Sequence, residues 1–384
     1  MSTPATPSAF SRANPFKAQI TANYCLNAEG SAKETRHIVV HLGESGINYV
    51  PGDSLGVIPR NFPGVVDELL AHLGLDPATP VDLPTGSVLL RELLITQYSL
   101  NRVGKKFVKG LLEKLPEGEK KTKLAEIVGN EQALDDYVFS RDYIDVLIEY
   151  PHKFTAQEFL PLANKIAPRL YSIASSPKAH PGEVHLTVAI VHYTTHGRAK
   201  FGLASGFLGH GQELNKSEVP VYIQPTKHFH MPVGDANIIM VGPGTGIAPF
   251  RAFLEHRAIE GATGKSWLFF GDQKRATDFL YEKEFTAMLE KGTLTRLDTA
   301  FSRDQAEKIY VQDRMRESGA ELWKWLKDGA YFYVCGDAKR MAKDVHQKLI
   351  DITQEHGGLS PEAAKEYIEV TLSKTEKRYL KDVY

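Results

Sequence analysis

The spacing of apolar residues along the chain predicts strands, then helices, then strands again, before a final stretch in which the two alternate. Residues 16–59 and 170–232 carry short apolar runs separated by turn residues, which is typical of strands. Residues 62–164 instead place apolar side chains three and four positions apart, which predicts helices. A helical segment between two strand-rich segments predicts an antiparallel β-barrel interrupted by an all-helical insertion at about residues 60–165.

From residue 236 onward the pattern predicts a doubly wound parallel sheet, because strands and helices alternate there. The predicted strands are 237–241, 266–271, 293–300 and 331–335, and the predicted helices are 248–259, 279–289, 321–327 and 338–356. Ligands of such sheets bind beyond the carboxyl ends of the strands. The turns expected at that edge are those at Gly242, Gly271, Ser302 and Gly336.

The predicted fold class is therefore a β-barrel plus an α/β domain. A disordered lead is expected at residues 1–14, which are rich in Ser, Thr, Pro and Ala. A barrel domain with its helical insertion is expected at residues 15–235, and a parallel-sheet domain at residues 236–384. A chain of 384 residues is long enough for two or three such domains with ample apolar cores.

Composition excludes several classes of protein. The 46 Lys and Arg residues nearly balance the 47 Asp and Glu residues, and no basic run occurs, so no nucleic-acid partner is expected. No stretch approaches the roughly 20 apolar residues of a membrane span, and the lead lacks the apolar centre of a signal peptide. The two cysteines, Cys25 and Cys335, favour the reducing cytoplasm over a disulfide-linked secreted fold.

A glycine-rich turn at residues 242–246 follows one predicted strand and precedes a predicted helix. Such a turn lets the backbone approach a pyrophosphate, and the helix start directs free N–H groups at the negative charge. The spacing is G-x-G-x-G, which differs from the usual G-x-G-x-x-G of dinucleotide-binding turns. A simple tight turn is therefore the alternative.

A second motif lies at the start of a strand, where Arg169, Tyr171 and Ser172 form an unusual set for a protein core. Arg169 and Tyr171 point to one face of the strand and Ser172 to the other. A guanidinium suits a diphosphate, a tyrosine ring can stack on a flat heterocycle, and a hydroxyl can bond a ring nitrogen. The alternative is an edge strand with a solvated arginine and a half-buried tyrosine.

Together these motifs resemble the ferredoxin–NADP reductase module of the diflavin reductases, and within that family the sulfite reductase flavoproteins. The matching stretches follow the family's order: 49–57, 169–177, 202–208, 242–250, 302–305, 310–313, 333–337 and 378–384. The match extends over nearly the whole chain from about Pro15. Diflavin reductases carry an FMN-binding flavodoxin domain before this module, which the helical insertion helps to orient. No such domain precedes the module in this sequence, which puts that role of the insertion in doubt.

The resemblance implies an FAD-binding barrel. Tyr171 would lie against the isoalloxazine, Arg169 would bind the diphosphate, and the helix that opens at Gly202 would direct its N–H groups at the pyrophosphate. The implied FAD contacts are Arg169, Leu170, Tyr171, Ser172, Thr187, Val188, Ala189, Tyr193, Gly202, Leu203, Ala204, Ser205 and Tyr384. Two alternatives stay open: Tyr193 is an ordinary strand tyrosine, or Ser205 is simply a capping residue of the helix.

The second cofactor is expected to be NADPH. Ser302, Arg303 and Lys308 offer a hydroxyl, a guanidinium and an ammonium, which suit the 2′-phosphate, and Tyr310 can stack on the adenine. Two charge-assisted bonds of roughly 1.5–3 kcal/mol each would favour NADPH over NADH by about a hundredfold or more. A solvated basic loop is the alternative. The predicted NADP contacts, with Asp344 implied by the resemblance alone, are Gly242, Gly244, Thr245, Gly246, Ser302, Arg303, Lys308, Tyr310, Gln312 and Asp344.

The resemblance also places Ser172, Cys335, Asp382 and Tyr384 near the point of hydride transfer from nicotinamide C4 to flavin N5. Cys335 would contact the nicotinamide, and Asp382 would stabilise the positive charge that develops on it. The terminal Tyr384 would lie flat on the flavin, where the nicotinamide must stack. The charged segment before it, residues 374–381, is expected to be exposed. The alternatives are a small buried Cys335 and a frayed terminus.

Two histidines, His228 and His230, alternate in a predicted strand between barrel and sheet, so both would face one way. No third metal ligand is evident near them in the sequence. A surface strand is favoured, and no metal is predicted.

The expected function is that of an NADPH-oxidising FAD flavoprotein, which passes single electrons to a partner in the sulfite reduction that serves cysteine biosynthesis. Without an FMN domain, the electron acceptor would be a separate flavodoxin, a ferredoxin or the sulfite reductase haemoprotein. One alternative is a free-standing ferredoxin or flavodoxin reductase. Another is a non-catalytic scaffold of the same fold, although the intact Ser172, Cys335 and Tyr384 speak against it. The sequence identifies neither the acceptor nor the oligomeric state.

Overall fold

The computed structural model describes residues 9–84 and 86–384. One unit of the fold consists of the chain up to Gly56 together with Leu170–Ala189 and Glu213–Tyr384, and the other of Val57–Arg169 and Ile190–Gln212. Of the predicted disordered lead, residues 1–8 lie outside the described residues. None of the helices in the described ranges is long and apolar enough to cross a bilayer.

Short strands and helices make up most of the described chain. The strands are β1 (Phe16–Cys25), β2 (Thr35–His41), β3 (Ser54–Val57), β4 (Pro80–Leu83), β5 (Gly86–Leu89), β6 (Arg169–Ser172), β7 (Glu183–Ala189), β8 (His192–Thr195), β9 (Arg198–Phe201), β10 (Glu218–Gln224), β11 (Ile238–Val241), β12 (Ser266–Asp272), β13 (Arg296–Phe301), β14 (Tyr331–Gly336) and β15 (Tyr379–Val383). The α-helices are α1 (Pro63–Leu73), α2 (Leu90–Gln97), α3 (Lys105–Lys114), α4 (Glu119–Gly129), α5 (Glu131–Ser140), α6 (Tyr143–Glu149), α7 (Ala156–Phe159), α8 (Leu203–His210), α9 (Ala248–Glu260), α10 (Arg275–Asp278), α11 (Glu282–Glu290), α12 (Val311–Glu317), α13 (Gly319–Lys327), α14 (Met341–Gly357) and α15 (Pro361–Glu366). Short 3₁₀ turns lie at Leu160–Leu162 and Gly244–Ile247, and a π-helical segment at Tyr367–Thr375.

The first large sheet has the strand order β6-β3-β10-β1-β2-β7 within the described residues. β1 pairs antiparallel with β10 and with β2, and β2 pairs antiparallel with β7. Just beyond β6, Ile173 bridges Leu186 of β7, which joins the two outer strands of the sheet. The buried side chains of Ile38, Val40 and Val188 contribute to its apolar interior. These pairings confirm the predicted antiparallel barrel.

The second large sheet has the order β13-β12-β11-β14-β15 in the described chain, and all its pairs are parallel. The side chains of β11 are all buried, as expected of a strand covered on both faces. On one face Met240 packs with Phe250 of α9, and on the other Val241 packs with Leu322 and Trp325 of α13. The predicted doubly wound arrangement is confirmed.

The end of the chain differs from the prediction. The sequence pattern predicts that residues 374–381 are exposed, but β15 begins at Tyr379 and runs parallel to β14 as the outer strand of the sheet. Tyr379 is buried and stacks edge-on against Phe332, whereas Lys374 and Lys377 are exposed. The pattern does not reveal this strand because it is short and each of its two faces carries one charged residue, Lys381 or Asp382, and charged side chains are usual on edge strands.

The helical insertion forms an apolar core of its own. Phe107, Tyr143 and Phe159 are fully buried and make edge-on ring contacts with one another. The expectation that this segment is all-helical is wrong in one place, since β4 and β5 form an antiparallel hairpin. Pro80 and Pro84 disfavour helix there, and Gly86 adopts a φ of 123°, which favours glycine.

His228 and His230 do not lie in a strand of the described chain, contrary to the sequence prediction. They follow β10 in a bend, where His230 Nε2 lies 3.0 Å from the carbonyl oxygen of Thr226. Phe229 between them is buried and packs on Phe253, and it is this side chain that fixes the segment.

Candidate functional site

The glycine-rich turn connects β11 to a 3₁₀ turn and then to α9. A Cβ atom on Gly246 would lie 2.1 Å from the carbonyl oxygen of Cys335, and one on Gly242 would lie 2.5 Å from the carbonyl oxygen of Gly246. These distances are far below van der Waals contact, so only glycine fits at both positions. The third glycine, Gly244, adopts a φ of 57° in the left-handed region. The turn is therefore held closely against the carboxyl end of β14.

The helix start after this turn has no side-chain cap in the described part of the chain. No side chain in the described residues caps the 3₁₀ turn at Gly244–Ile247 or the start of α9. Uncapped N–H groups at a helix start carry partial positive charge and bind phosphate oxygens. Gly242 N and Gly246 N already donate to the carbonyl oxygens of Phe269 and Pro243. Contact of Gly242, Gly244, Thr245 and Gly246 with a coenzyme pyrophosphate therefore stays a prediction.

Ser172, Cys335 and Asp382 meet at the carboxyl ends of β6, β14 and β15. Ser172 Oγ donates a hydrogen bond of 2.8 Å to Asp382 Oδ2, and Cys335 Sγ lies 4.0 Å from the same oxygen. The parallel pairing of β14 with β15 sets Cys335 opposite Asp382. Three side chains that are far apart in sequence are thus brought together beside the glycine turn.

The thiol of Cys335 stays protonated at this position. Its side chain is fully buried, and burial, with the nearby Asp382 carboxylate, raises its pKa well above the ordinary value, although the hydrogen bond with Ser172 opposes this. A neutral thiol is a compact apolar surface and a weak donor rather than a nucleophile. The arrangement can therefore contact a substrate ring, and its one formal charge belongs to Asp382.

The terminal residue is ordered by hydrogen bonds. Tyr384 N donates to the carbonyl oxygen of Gly336 at 3.1 Å, and its own carbonyl oxygen accepts from Ala338 N at 3.1 Å. Its hydroxyl lies 2.9 Å from Thr245 Oγ1 of the glycine turn, while the side chain remains 57% exposed. The ring is therefore held over the binding edge without being buried, so the alternative of a frayed terminus is wrong.

The barrel residues expected at the flavin fall into exposed and buried positions. Arg169 and Leu170 are exposed on β6, and Tyr171 is half-buried. On β7, Ala189 is exposed and Val188 fully buried, whereas the Thr187 hydroxyl lies 2.7 Å from the hydroxyl of Tyr281. The side chains of Thr187 and Val188 are therefore not available to a ligand, and their backbone pairs with His37 and Arg36 of β2.

Tyr193 and the helix start at Gly202 belong to the other unit. Tyr193 lies on β8, pairs with Lys200 of β9 and is partly exposed. Gly202 is the N-cap residue of α8, and no side chain in the described chain caps this helix. Ser205 is the third helical residue, and its hydroxyl accepts a hydrogen bond of 3.1 Å from Val191 N. The alternative that Ser205 caps the helix is therefore wrong, and contact of this helix start with a diphosphate stays a prediction.

The predicted phosphate loop follows β13. Arg303 and Lys308 are exposed, and neither forms an ion pair with any residue that the structure describes. Tyr310 is 45% exposed and precedes α12, on which Gln312 lies. The sequence predicts that the Ser302 hydroxyl binds the 2′-phosphate, but here it donates a hydrogen bond of 3.3 Å to the carbonyl oxygen of Asp272.

Asp344 is exposed in the first turn of α14, and nothing in the geometry connects it to this loop.

Asp272 is a candidate functional residue that the sequence pattern does not single out. It ends β12 and forms an ion pair with Lys33, while its Oδ2 atom is buried without a hydrogen-bond partner in the described chain. Burial raises the pKa of this carboxyl group, although the Lys33 ammonium lowers it. A Cβ on Gly244 would lie 3.9 Å from Oδ2, so the oxygen faces the glycine turn. The one feature of the sequence that could have pointed to Asp272 is its position as an acidic residue directly after the predicted strand at 266–271.

Two family models match the chain, one in each half. Residues 8–207 match the family described as FAD binding domain, and residues 240–347 match the oxidoreductase NAD-binding domain.

Three relatives illustrate the similarity, and each is described as a sulfite reductase (NADPH) flavoprotein alpha-component. The chain is 44% identical to that of Shewanella sp. (strain MR-7) over 99% of its own length and 62% of that protein. It is 45% identical to that of Bacillus subtilis (strain 168) over 98% of its own length and 62% of that protein. It is 41% identical to that of Yersinia pestis over 99% of its own length and 62% of that protein. The chain therefore spans a little over three-fifths of the length of these relatives.

Proposed function

We propose, from the premise that this chain belongs to the FAD-binding domain family and carries an oxidoreductase NAD-binding domain, that it is an NADPH-dependent flavoprotein reductase. The observation that carries the proposal is the convergence of Ser172, Cys335 and Asp382 beside the glycine turn. FAD, when bound, supplies the group that accepts a hydride from NADPH and releases electrons singly. The protein then has to bind, orient and polarise the two cofactors, and its residues fit that task.

Each of the two units offers residues whose chemistry suits FAD. Arg169 is exposed and has no ion pair among the described residues, so its guanidinium is available to a diphosphate. The uncapped start of α8 at Gly202 offers N–H groups to the same kind of charge. Tyr171 offers a half-buried ring and Ser172 a hydroxyl, which suit an isoalloxazine.

The order of the parallel strands fits NADPH in one orientation. Cys335 and Asp382 lie on β14 and β15, the glycine turn follows the central β11, and the cationic loop follows β13. Neighbouring strands are about 4.8 Å apart, so the sheet spans about 19 Å from β13 to β15. An extended dinucleotide across this edge would place its nicotinamide near Cys335, its pyrophosphate at the turn and its 2′-phosphate near Arg303 and Lys308.

Each end of that edge would act differently on the coenzyme. The Asp382 carboxylate, held by Ser172, would stabilise the positive charge that grows on the nicotinamide as hydride leaves. Arg303 and Lys308 would bind the 2′-phosphate and so select NADPH over NADH. Tyr384 would cover the flavin until the nicotinamide displaces it.

The proposed electron acceptor is the haemoprotein of sulfite reductase, because the relatives are named sulfite reductase flavoprotein components. Reduction of sulfite to sulfide in the cytoplasm is the process proposed for the pair. The free thiols of Cys25 and Cys335 are compatible with a reducing compartment.

The test is anaerobic reduction of the purified, FAD-loaded chain by NADPH, followed by addition of haemoprotein, flavodoxin or ferredoxin in parallel. We expect the flavin absorbance to bleach with NADPH and to return when the haemoprotein is added. Return only with flavodoxin or ferredoxin would identify a free-standing reductase of those carriers. No bleaching would identify a scaffold and refute the proposal.

The FAD assignment has its own variant. Arg169→Ala should purify with little FAD, since the diphosphate loses a charge-assisted bond worth roughly 1.5–3 kcal/mol, or about a tenfold to hundredfold loss of affinity. Arg316→Ala, which removes an exposed arginine of α12, is the matched control and should keep its flavin. Equal flavin content in the two variants would contradict the role of Arg169.

A further inference from the structure

A cluster of metal-ligating side chains lies outside the coenzyme edge, on the segment that connects β6 to β7. His180, Glu183 and His185 each offer one donor atom, and these atoms all lie within 4.8 Å of one another. The two imidazole rings are 4.0 Å apart between centroids. This is the metal-compatible cluster that the described residues contain, and it differs from the His228 and His230 pair on which the expectation of no metal rests.

Local backbone structure brings the three together. Glu183 and His185 are two positions apart on β7, so their side chains point to the same side of the strand. His180 reaches them through a tight turn, in which His180 N donates to the carbonyl oxygen of Ser176 at 3.0 Å and Glu183 N donates to that of His180 at 3.2 Å. The strand and the turn therefore bring the three side chains of the H-x-x-E-x-H sequence together.

The buried member of the cluster is His185. The His185 side chain is only 7% exposed, and burial, followed by the charge of His180, lowers its pKa to about 4. Its Nε2 lies 3.2 Å from Glu183 Oε2, so this nitrogen is the one that faces the Glu183 carboxylate.

The charges around His185 leave room for a cation. Arg251 on α9 acts on the imidazole, but this guanidinium is already paired with Glu255 at 2.9 Å and with Glu284 at 2.7 Å. The two carboxylates of Glu255 and Glu284 therefore already neutralise the positive charge of Arg251, and the Glu183 carboxylate adds a further negative charge beside His185. His37 stacks edge-on against His185 and adds no charge, because burial and the charge of Arg251 lower its pKa to about 3.

We propose that His180, Glu183 and His185 bind one divalent transition-metal ion of the Zn²⁺ type. Two imidazoles and a carboxylate, with a fourth position open to water, form a common zinc ligand set. Zinc bonds of about 2.0–2.2 Å separate tetrahedral ligand atoms by about 3.4 Å. The donors reach that spacing by rotation of His180 and Glu183, whose side chains are 29% and 34% exposed and also provide the entry path.

An outer carboxylate completes the arrangement. His180 Nε2 lies 3.2 Å from Glu255 Oε1 of α9, and metal-bound histidines characteristically use their second nitrogen for such a contact. Glu255 Oε2 also accepts from Ser176 N at 2.9 Å. A bound ion would therefore tie the β6–β7 segment more firmly to α9, and it would stabilise the fold without touching the coenzyme edge.

The test uses the untagged, FAD-loaded protein after removal of metal by a chelator. Equilibrium dialysis against Zn²⁺ with elemental analysis should give one bound zinc per chain, and zinc should raise the thermal unfolding temperature. His180→Ala and Glu183→Gln should each weaken zinc binding by about a hundredfold or more, since even outer partners of a metal site are worth about 10- to 100-fold. Both substitutions lie at part-exposed positions, so FAD content should stay normal and report that the variants are folded.

His228→Ala is the matched control, because it removes an exposed histidine from a different segment. It should bind zinc as tightly as the unaltered chain. The proposal is overturned if the unaltered chain binds no zinc, or if His180→Ala and Glu183→Gln bind it as tightly as His228→Ala. Loss of NADPH-driven flavin reduction in all proteins alike would concern the proposed function and not this site.

Discussion

The two ends of the carboxyl edge of the parallel sheet differ in burial and in charge. At the β14–β15 end, Cys335 is fully buried, and Ser172 and Asp382 hold each other at 2.8 Å. At the β13 end, Arg303 and Lys308 are exposed and have no ion-pair partner in the described chain. One end is fixed by packing before any ligand arrives, whereas the other presents free charge.

This difference matches the two tasks that a coenzyme site must perform. Hydride transfer requires the reacting ring within a fraction of an ångström of its target, which rigid buried neighbours provide. Selection between NADPH and NADH requires only attraction to one phosphate, which flexible exposed cations supply at little structural cost. Substitutions at the packed end should therefore affect the fold or the rate, and those at the exposed end should affect affinity.

The largest effect is expected from Gly246→Ala at the packed end. The new methyl group would lie 2.1 Å from the carbonyl oxygen of Cys335 and would force the glycine turn away from β14. Overpacking of this kind costs about 3 kcal/mol or more, which corresponds to a drop of roughly 6–12 °C in the thermal unfolding temperature. Coenzyme binding should be lost as well.

Gly129→Ala is the control for that substitution. Gly129 ends α4 without a positive φ, and a Cβ added there would meet no heavy atom of the described chain within 4 Å. Its replacement should leave the unfolding temperature unchanged or slightly raised. A Gly246→Ala protein as stable as this control would contradict the close packing of the turn on β14.

The next largest effect is expected at the exposed end. Arg303→Ala combined with Lys308→Ala should raise the KM for NADPH by about a hundredfold and leave the KM for NADH nearly unchanged, because only the 2′-phosphate loses partners. Steady-state rates with both coenzymes measure this, with Lys291→Ala as an exposed control on another surface. Parallel increases for the two coenzymes would place the phosphate site elsewhere.

A smaller effect is expected at Tyr384, which lies over the binding edge. Tyr384→Ala keeps the backbone hydrogen bonds to Gly336 and Ala338 but removes the ring, so the nicotinamide no longer has to displace it. A stacked ring contributes about 1 kcal/mol, so affinity for both coenzymes should rise about fivefold. NADH turnover should gain more visibly than NADPH turnover.

Tyr384→Phe separates the ring from its hydroxyl. This variant loses only the 2.9 Å contact with Thr245 and should retain the coenzyme affinities of the unaltered chain. If both variants bind the coenzymes equally well, Tyr384 does not compete with the nicotinamide.

The fold could be predicted where apolar patterning is strong on both faces of an element. The strands β11, β12 and β14 are continuous apolar runs, and the structure confirms them as the centre of the parallel sheet. The edge strand β15 and the hairpin β4–β5 do not stand out in the sequence because each has at most one buried face. The local sequence of such strands does not distinguish them from exposed loops. Only their pairing with a neighbouring strand identifies them as strands.

The site could be predicted from the sequence only in part. The glycine turn follows from its own residues, since a strand, three glycines and a helix are adjacent in the chain. The contact between Ser172 and Asp382 joins residues 210 positions apart, so only the resemblance to a known family could place them together. The hydrogen bond of the Ser302 hydroxyl to the Asp272 carbonyl and the orphaned Asp272 oxygen depend on the register of β12 with β13.

The most direct test of the division between the two ends is single-turnover reduction of bound FAD, followed over a range of NADPH concentrations. It yields a limiting rate and an apparent dissociation constant for each protein. Asp382→Asn, which keeps the shape and can still accept from Ser172, should lower the limiting rate about tenfold or more and change the dissociation constant little. The Arg303→Ala and Lys308→Ala double variant should raise the dissociation constant about a hundredfold and leave the limiting rate within about twofold. A double variant with a slowed limiting rate, or an Asp382→Asn protein altered only in its dissociation constant, would contradict the account.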